Sequence, residues 1–502
     1  MTSTGEPTTT STTTPADRPA ARLVVPPAVP PAVPVPPWRA LPVLLAGTFL
    51  MVLDFFGVNV ALPSLAADLD AGPSEVVWVV AGFALAMAAT QLLAGRLGDH
   101  VGHRRGFALG LTVFTAASLI CVAAPGATVL VVARVVQGVG AAFIGTSVLS
   151  IIGVSFPGEA RARALAWYGA VLGVAAAGGQ LVGGALIAAD VDGLGWRAIF
   201  AVNVPVGLVA LALTPRLVPA VRARRAGRLD LVGMVLGART MVLLVLPLVQ
   251  GRQAGWPAWT WVSLALVPVV AVVTYRSGVR FERAGGQPFL PPSLLRRPSM
   301  SLGLVAQLVY WCGQASFYFV LALYLQDGLG LSPLDAGLVF GVLAAGYLAT
   351  SFTAPGLAAR HGSAVVVVGL VAILAGYGAL GLALAAAPDG PGATVAALVP
   401  GLLLAGAGQG LCITPLAAQV LAHADPRQAG SVSGALQTAQ QAGNSVGVAL
   451  VGVVFYGVLG SAGGTVAHAF GASVVVLAVV GVAALVGVCL LAFATRRGPA
   501  DA

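Results

Sequence analysis

Two charged side chains of this 502-residue chain stand where charge is costly: Asp54 and Arg134. Asp54 is the one acid well inside an apolar run. A carboxylate at the centre of a membrane helix costs about 2.5–3.5 kcal/mol on insertion scales, so it asks for a partner or a proton. Arg134 offers the partner. Counted from Pro63 and Gly126, taken as the ends of their apolar runs, both residues lie at a depth of about 12–14 Å at about 1.5 Å per residue. A nearby guanidinium favours the ionised carboxylate, whereas removal from water favours the protonated one. A carboxyl balanced between these effects suits proton coupling; a static ion pair is the alternative.

Polar side chains also recur at helical spacing. Gln307, Tyr310, Gln314 and Tyr318 fall at i, i+3, i+7 and i+11, and Gln437, Gln440, Gln441 and Asn444 at i, i+3, i+4 and i+7. Lipid would penalise either face, so both are expected to point inward, lining a cavity or bonding neighbouring helices. Gln137 and Gln180 join them as cavity candidates. Other chemistry finds no constellation. There is no metal-ligand spacing, no Ser–His pairing and no phosphate-binding Gly-Lys motif, which argues against an enzyme. The histidines (His100, His103, His361, His423, His468) are expected in loops, and the 4 cysteines stand isolated in apolar stretches. No cofactor is expected.

The elements that must position these residues follow from composition. Hydrophobic residues make up 58% and charged residues 9%, with mean hydropathy +0.94, which excludes an ordinary soluble protein. Apolar segments long enough to cross a bilayer lie near 40–63, 74–96, 105–124, 127–152, 163–188, 197–215, 230–250, 256–275, 301–325, 334–358, 364–387, 394–421, 429–459 and 467–494. That predicts about fourteen spans in an all-α polytopic membrane protein. Residues 1–37, rich in Thr, Pro and Ala, read as a disordered cytoplasmic tail without a signal-peptide apolar region, so the first span is expected to be an uncleaved anchor.

The net charge of +9 comes wholly from arginine, clustered in short stretches between apolar runs. That is a topology signal and no nucleic-acid face. Arg96/Arg104/Arg105, Arg161/Arg163, Arg216 to Arg228, Arg276 to Arg297, Arg360, Arg427 and Arg496/Arg497 all fall on one side if both termini are cytoplasmic. Arg239, mid-span, either snorkels or lines a protein contact.

The first of these clusters, Gly95-Arg-Leu-Gly-Asp-His-Val-Gly-His-Arg-Arg105, is expected to be a tight charged turn, with Gly95, Gly98 and Gly102 bending it and Asp99 pairing with Arg104 or Arg105 or capping a helix. Gly356-Leu-Ala-Ala-Arg-His-Gly362 echoes it and suggests two related halves.

Gly-x-Leu-x-Asp-x-x-Gly-x-Arg-Arg resembles the signature between helices 2 and 3 of the major facilitator superfamily. Leu53 to Pro63 resembles the first-helix motif of its fourteen-helix drug:proton antiporter branch, with Phe56 where threonine is common. Arg134-Val-Val-Gln-Gly-Val-Gly resembles the fourth-helix motif. Gly169-x3-Gly173 and Gly178-Gly-Gln-Leu-Val-Gly-Gly184 resemble the exporters' fifth helix, with Gln180 where proline is usual and a softened kink expected; small-x3-small helix packing is a compatible reading. Trp196 to Gly207 and Tyr324 to Pro333 also resemble that branch.

The resemblance implies a major facilitator fold: an N-terminal six-helix half (38–217), two additional helices (218–298), a C-terminal six-helix half (299–495) and a cytoplasmic tail (496–502). It implies a monomeric efflux antiporter in the cytoplasmic membrane, exporting amphiphilic drug-like or antibiotic-like molecules on the proton gradient. Asp54 and Arg134 would couple the proton. Gly95, Asp99, Gly102, Arg104, Arg105, Gly173, Gly179, Gly183 and Gly184 would serve conformational gating. Import of a small metabolite and a non-transporting receptor or scaffold stand as alternatives.

Overall fold

The apolar runs fold into long helices, because a chain with so little polar surface can satisfy its backbone groups in lipid only within itself. The computed structural model describes residues 1–5, 37–156, 158–220, 230–251, 254–286, 288, 292–386, 390–422 and 429–496. Most of the predicted N-terminal tail and the end of the C-terminal one lie outside them, as do Arg222 to Arg228, Arg252, His423 and Arg427. Residues 35–502 make one compact unit; residues 1–5 have no regular structure.

Among the described residues fourteen helices have spanning length once the bent fifth is counted as one. They are α1 (Leu41–Leu69), α2 (Pro73–Val101), α3 (His103–Val122), α4 (Ala127–Ser155), α5 (Gly158–Ala189), α6 (Asn203–Leu217, entered through the short helix Ala198–Ala201), α7 (Leu231–Gln250), α8 (Ala258–Arg283), α9 (Pro298–Leu323), α10 (Pro333–Ser351), α11 (Ala364–Ala386), α12 (Pro391–Ala422), α13 (Ala429–Leu459) and α14 (Val466–Arg496). No strand occurs among the described residues. Helix starts are sharp where the sequence supplies a stop signal. Glu75 accepts the Gly72 N–H at 2.8 Å at the head of α2, Ser332 accepts from Asp335 N at 3.2 Å on α10, and Asp230 accepts from Gly233 N at 2.8 Å on α7.

Packing repeats along the chain. In the first set α4 packs on α2 and α3, α5 on α1, and α6 on α3; in the later set α12 packs on α10 and α11, α13 on α9, and α14 on α11. The correspondence reaches single residues. A Cβ on Gly138 of α4 would stand 2.3 Å from Phe83 O of α2, and one on Gly406 of α12 2.0 Å from Leu343 O of α10. Pro73 and Glu75 heading α2 recur as Pro333 and Asp335 heading α10, and Gly102 recurs as Gly362 at the same interval.

The sets meet through α2 on α13, α5 on α10, and α1 on α9. α7 and α8 pack on each other, α7 also touching α2 and α13. α8 buries little; Trp259, Trp261 and Val269 stay exposed as a lipid-facing helix requires, and Arg239 is exposed on α7.

Three local expectations need correction. The charged stretch is no multi-residue loop: helix continues through Val101 and resumes at His103, leaving Gly102 alone to turn the chain at φ 95° and ψ 132°. Gly95 and Gly98 are helical and serve packing; a Cβ on Gly98 would stand 2.7 Å from His103 Nδ1. Polar residues in the last turns of a helix break the hydrophobic pattern without breaking the helix.

Second, α5 bends by 45° between Arg163–Ala176 and Gly178–Ala189, although Gln180 replaces the proline. The Gly178-Gly179 pair at the bend is sufficient cause. Third, His100, His103, His361 and His468 sit in the terminal turns of helices.

Candidate functional site

Asp54 and Arg134 meet. α1 and α4 bring their side chains into a direct ion pair, both at 0% exposure, through Arg134 Nη1 and Asp54 Oδ2. The carboxylate is otherwise fully engaged: Oδ1 accepts from Gln137 Nε2 at 3.0 Å and from Asn203 Nδ2 at 2.8 Å. Ser118 Oγ accepts from the same two amides, at 2.9 and 3.4 Å.

Arg134 donates from Nε to Val79 O at 3.0 Å and from Nη1 to Gln137 Oε1 at 2.6 Å. Its guanidinium lies 4.4 Å from the Phe83 ring centroid and 5.6 Å from that of Phe200, while Nη2 has no partner. Five helices thus wrap one charge pair, and their polar groups stand in for the water it has lost.

The depth arithmetic behind the expected pair needs amending even though the pair forms. α1 runs six residues past Pro63 to Leu69, so that proline does not mark its end. The extra turns have their own anchor: Asp68 accepts from Arg197 Nη1 at 2.7 Å and Trp196 Nε1 at 3.0 Å, with the Arg197 guanidinium 4.3 Å from the Trp196 centroid. The pair thus forms although Pro63 is not the helix end from which its depth was counted.

Gln137, expected on the substrate cavity, belongs to the charge network; three residues beyond Arg134, it lies on the same helix face. Ser118 and Asn203 were not singled out. Asn203 lies within the Trp196 to Gly207 motif, and an asparagine in an apolar helix was the signal; a lone serine in α3 offered none.

The stripe on α9 faces inward. Gln314 Nε2 donates to Gln409 Oε1 of α12 at 2.9 Å, and Tyr318 OH to the same oxygen at 3.1 Å. Tyr318 stacks on Phe340 of α10 at 5.7 Å and meets Phe56 of α1 edge-on at 5.1 Å. Gln307 and Tyr310 are buried, with Gln307 Oε1 and the Tyr310 hydroxyl unpartnered. Gln409, which reasoning from spacing missed because it stands alone among glycines, is the hub of this cluster; its Nε2 and that of Gln180 are unpartnered.

On α13, Gln437 and Gln441 turn to α2 across the junction of the two sets, reaching Gln91 and Met87, and Ser445 donates to Ala81 O at 3.0 Å. Asn444 donates to Gln441 Oε1 at 2.7 Å. Gln440 is half-buried. The stripes therefore lie at helix junctions rather than on an open wall.

Among the gating candidates, Gly179 and Gly183 of α5 pack against α1, where added Cβ atoms would stand 3.0 Å from Phe56 Cβ and from Gly57 O. Gly184 faces the other set, 2.3 Å by the same measure from Pro333 O. Together with Gln326 Nε2, which donates to Val60 O at 2.8 Å, this closes the seam between the sets at the end poor in arginine. Gly95 packs loosely toward Thr146. Arg104 reaches Pro215 O at 3.5 Å, and Arg105 is exposed. The side chain of Asp99 and the surroundings of Gly173 lie outside the described residues. Among the described residues no His/Cys/Asp/Glu group could hold a metal.

Known proteins resemble this chain over most of its length. The model of a family described as Major Facilitator Superfamily matches residues 44–448. A probable actinorhodin transporter of Streptomyces coelicolor is 38% identical over 434 residues, covering 84% of this chain and 73% of that protein. A puromycin resistance protein of Streptomyces alboniger is 36% identical, covering 84% and 82%. The cephamycin export protein CmcT of Amycolatopsis lactamdurans is 36% identical, covering 82% and 84%. Among solved structures, the POT family transporter PepTSo superposes with a TM-score of 0.66 at 13% identity, covering 91% of this chain and 98% of that one, a likeness of fold alone.

Proposed function

This chain belongs to the Major Facilitator Superfamily, and we propose that it is a proton-coupled antiporter exporting small amphiphilic, antibiotic-like molecules by alternating access. The observation that carries the reading is the Asp54–Arg134 pair, buried at 0% exposure inside one set of six helices. A charge pair so placed is costly to keep for stability alone. A proton arriving at Asp54 would cancel its negative charge, release the guanidinium to Gln137 and Val79 O, and alter how α1 packs against α4 and α6. The names of the relatives, concerned with actinorhodin, puromycin and cephamycin, support the substrate class and the outward direction.

Each inward proton would supply about 2.3 kcal/mol per 100 mV of membrane potential. No cofactor is needed beyond that gradient. In this reading the helix sets α1–α6 and α9–α14 are the moving halves, α7 and α8 an insertion riding on α2 and α13, and both termini face the cytoplasm of a plasma-membrane protein that works as a monomer. The substrate would bind between the halves, near Gln314, Tyr318, Gln409 and Gln441.

The test is flux in proteoliposomes under an imposed pH gradient, with wild type and Asp54→Asn. The variant should insert and fold but lose gradient-driven export. Undiminished export by Asp54→Asn would remove the carboxyl from the coupling step.

A further inference from the structure

The charge network faces the interior of α1–α6, whereas substrate would bind between the halves, so the two events need a mechanical link. α1 provides a geometry for one. Residues 54 and 56 are about 200° apart around a helix, so Asp54 faces α4 and α6 while Phe56 faces the opposite way. The Phe56 ring meets Tyr318 of α9 edge-on at 5.1 Å, and Tyr318 is held in turn by its stack on Phe340 and its hydrogen bond to Gln409.

Behind Phe56, the glycine face of α5 begins at Gly179, leaving no slack: even a methyl there would come within 3.0 Å of Phe56 Cβ. The Phe56 carbonyl accepts from Asn59 Nδ2 at 3.0 Å, tying the local backbone.

Resting on the proton-coupled reading above, we propose that Phe56 is a positioning residue that transmits the protonation state of Asp54 to the substrate-facing helices through its contact with Tyr318. Any turn of α1 that follows loss of the Arg134 pair moves Phe56 on the far side of the helix. Tyr318 must follow, because Gly179 bars retreat, and with it moves the Gln409 amide that also holds Gln314.

The experiment needs no substrate. Spin labels at the exposed positions Val191 and Leu338, one in each half at the arginine-poor end, report the separation of the halves in full-length protein in lipid. The exposed Cys489 is first replaced by serine. In the labelled wild type, acidification should shift the distance distribution, and Asp54→Asn should not respond. Phe56→Ala should respond about fivefold less than wild type, and Phe56→Tyr should recover the response.

A full acid response in Phe56→Ala beside a silent Asp54→Asn would overturn this inference and leave the function standing. A response that persists in Asp54→Asn, or none in wild type, would overturn the function and the inference with it. Should Phe56→Ala fail to fold, Tyr318→Leu removes the other ring, and a full response there overturns the link equally.

Discussion

Replacing Arg134 by leucine and replacing Asp54 by asparagine should each destabilise the protein, and the double replacement should recover part of the loss. Both residues are wholly buried, so each single change strands one member of the pair. In Asp54→Asn the guanidinium cannot shed its charge. It keeps Val79 O, Gln137 and the Phe83 face but loses its counter-charge. The cost should sit near the lower end of the about 3–5 kcal/mol found when one partner of a buried pair is removed.

In Arg134→Leu the stranded group is the Asp54 carboxylate, which keeps the amides of Gln137 and Asn203 but loses its counter-charge. A loss of about 3–5 kcal/mol is expected there too.

The double variant, with neither charge stranded, should lie closer to wild type than the sum of the singles. Thermal unfolding of purified protein followed by intrinsic fluorescence measures all four. Strict additivity in the double would refute the view that these groups stabilise each other directly.

Three further outcomes are expected. Gly138→Ala should lower thermal stability by about 1–3 kcal/mol as α2 and α4 are forced apart, since the new methyl would meet Phe83 O; an unchanged midpoint would deny that approach. Gln409→Leu removes the acceptor shared by Gln314 and Tyr318 and should raise KM for an exported dye severalfold with little loss of maximal rate, read in everted vesicles. Neutral or singly charged amphiphiles should be carried better than matched dications, because the described helix-junction stripes bring amides and phenols but no acid. An uncompensated second charge there would cost several kcal/mol, so equal transport of a dicationic dye would contradict the assignment.

The helices, their approximate number and the need of the two buried charges for partners were legible in the amino-acid sequence. Twenty-residue apolar runs have one stable form in lipid, and an acid and an arginine within such runs cannot both be left alone. The sequence also revealed the repeat, through Gly102 and Gly362, because a residue at positive φ leaves a glycine behind.

Helix rotation and side-chain partnership became readable only from the packing. Gln137 read as a cavity residue because spacing places a side chain on its own helix but does not say which neighbour that helix face meets. Ser118 and Gln409 were silent for a related reason: a single small or amide side chain in an apolar run has many harmless explanations until its partners are seen. The continuation of α2 through Gly95, Gly98 and Asp99 was hidden as well. Helical hydrogen bonding is indifferent to whether the outward side chains are charged, so the end of a hydrophobic run need not be the end of a helix.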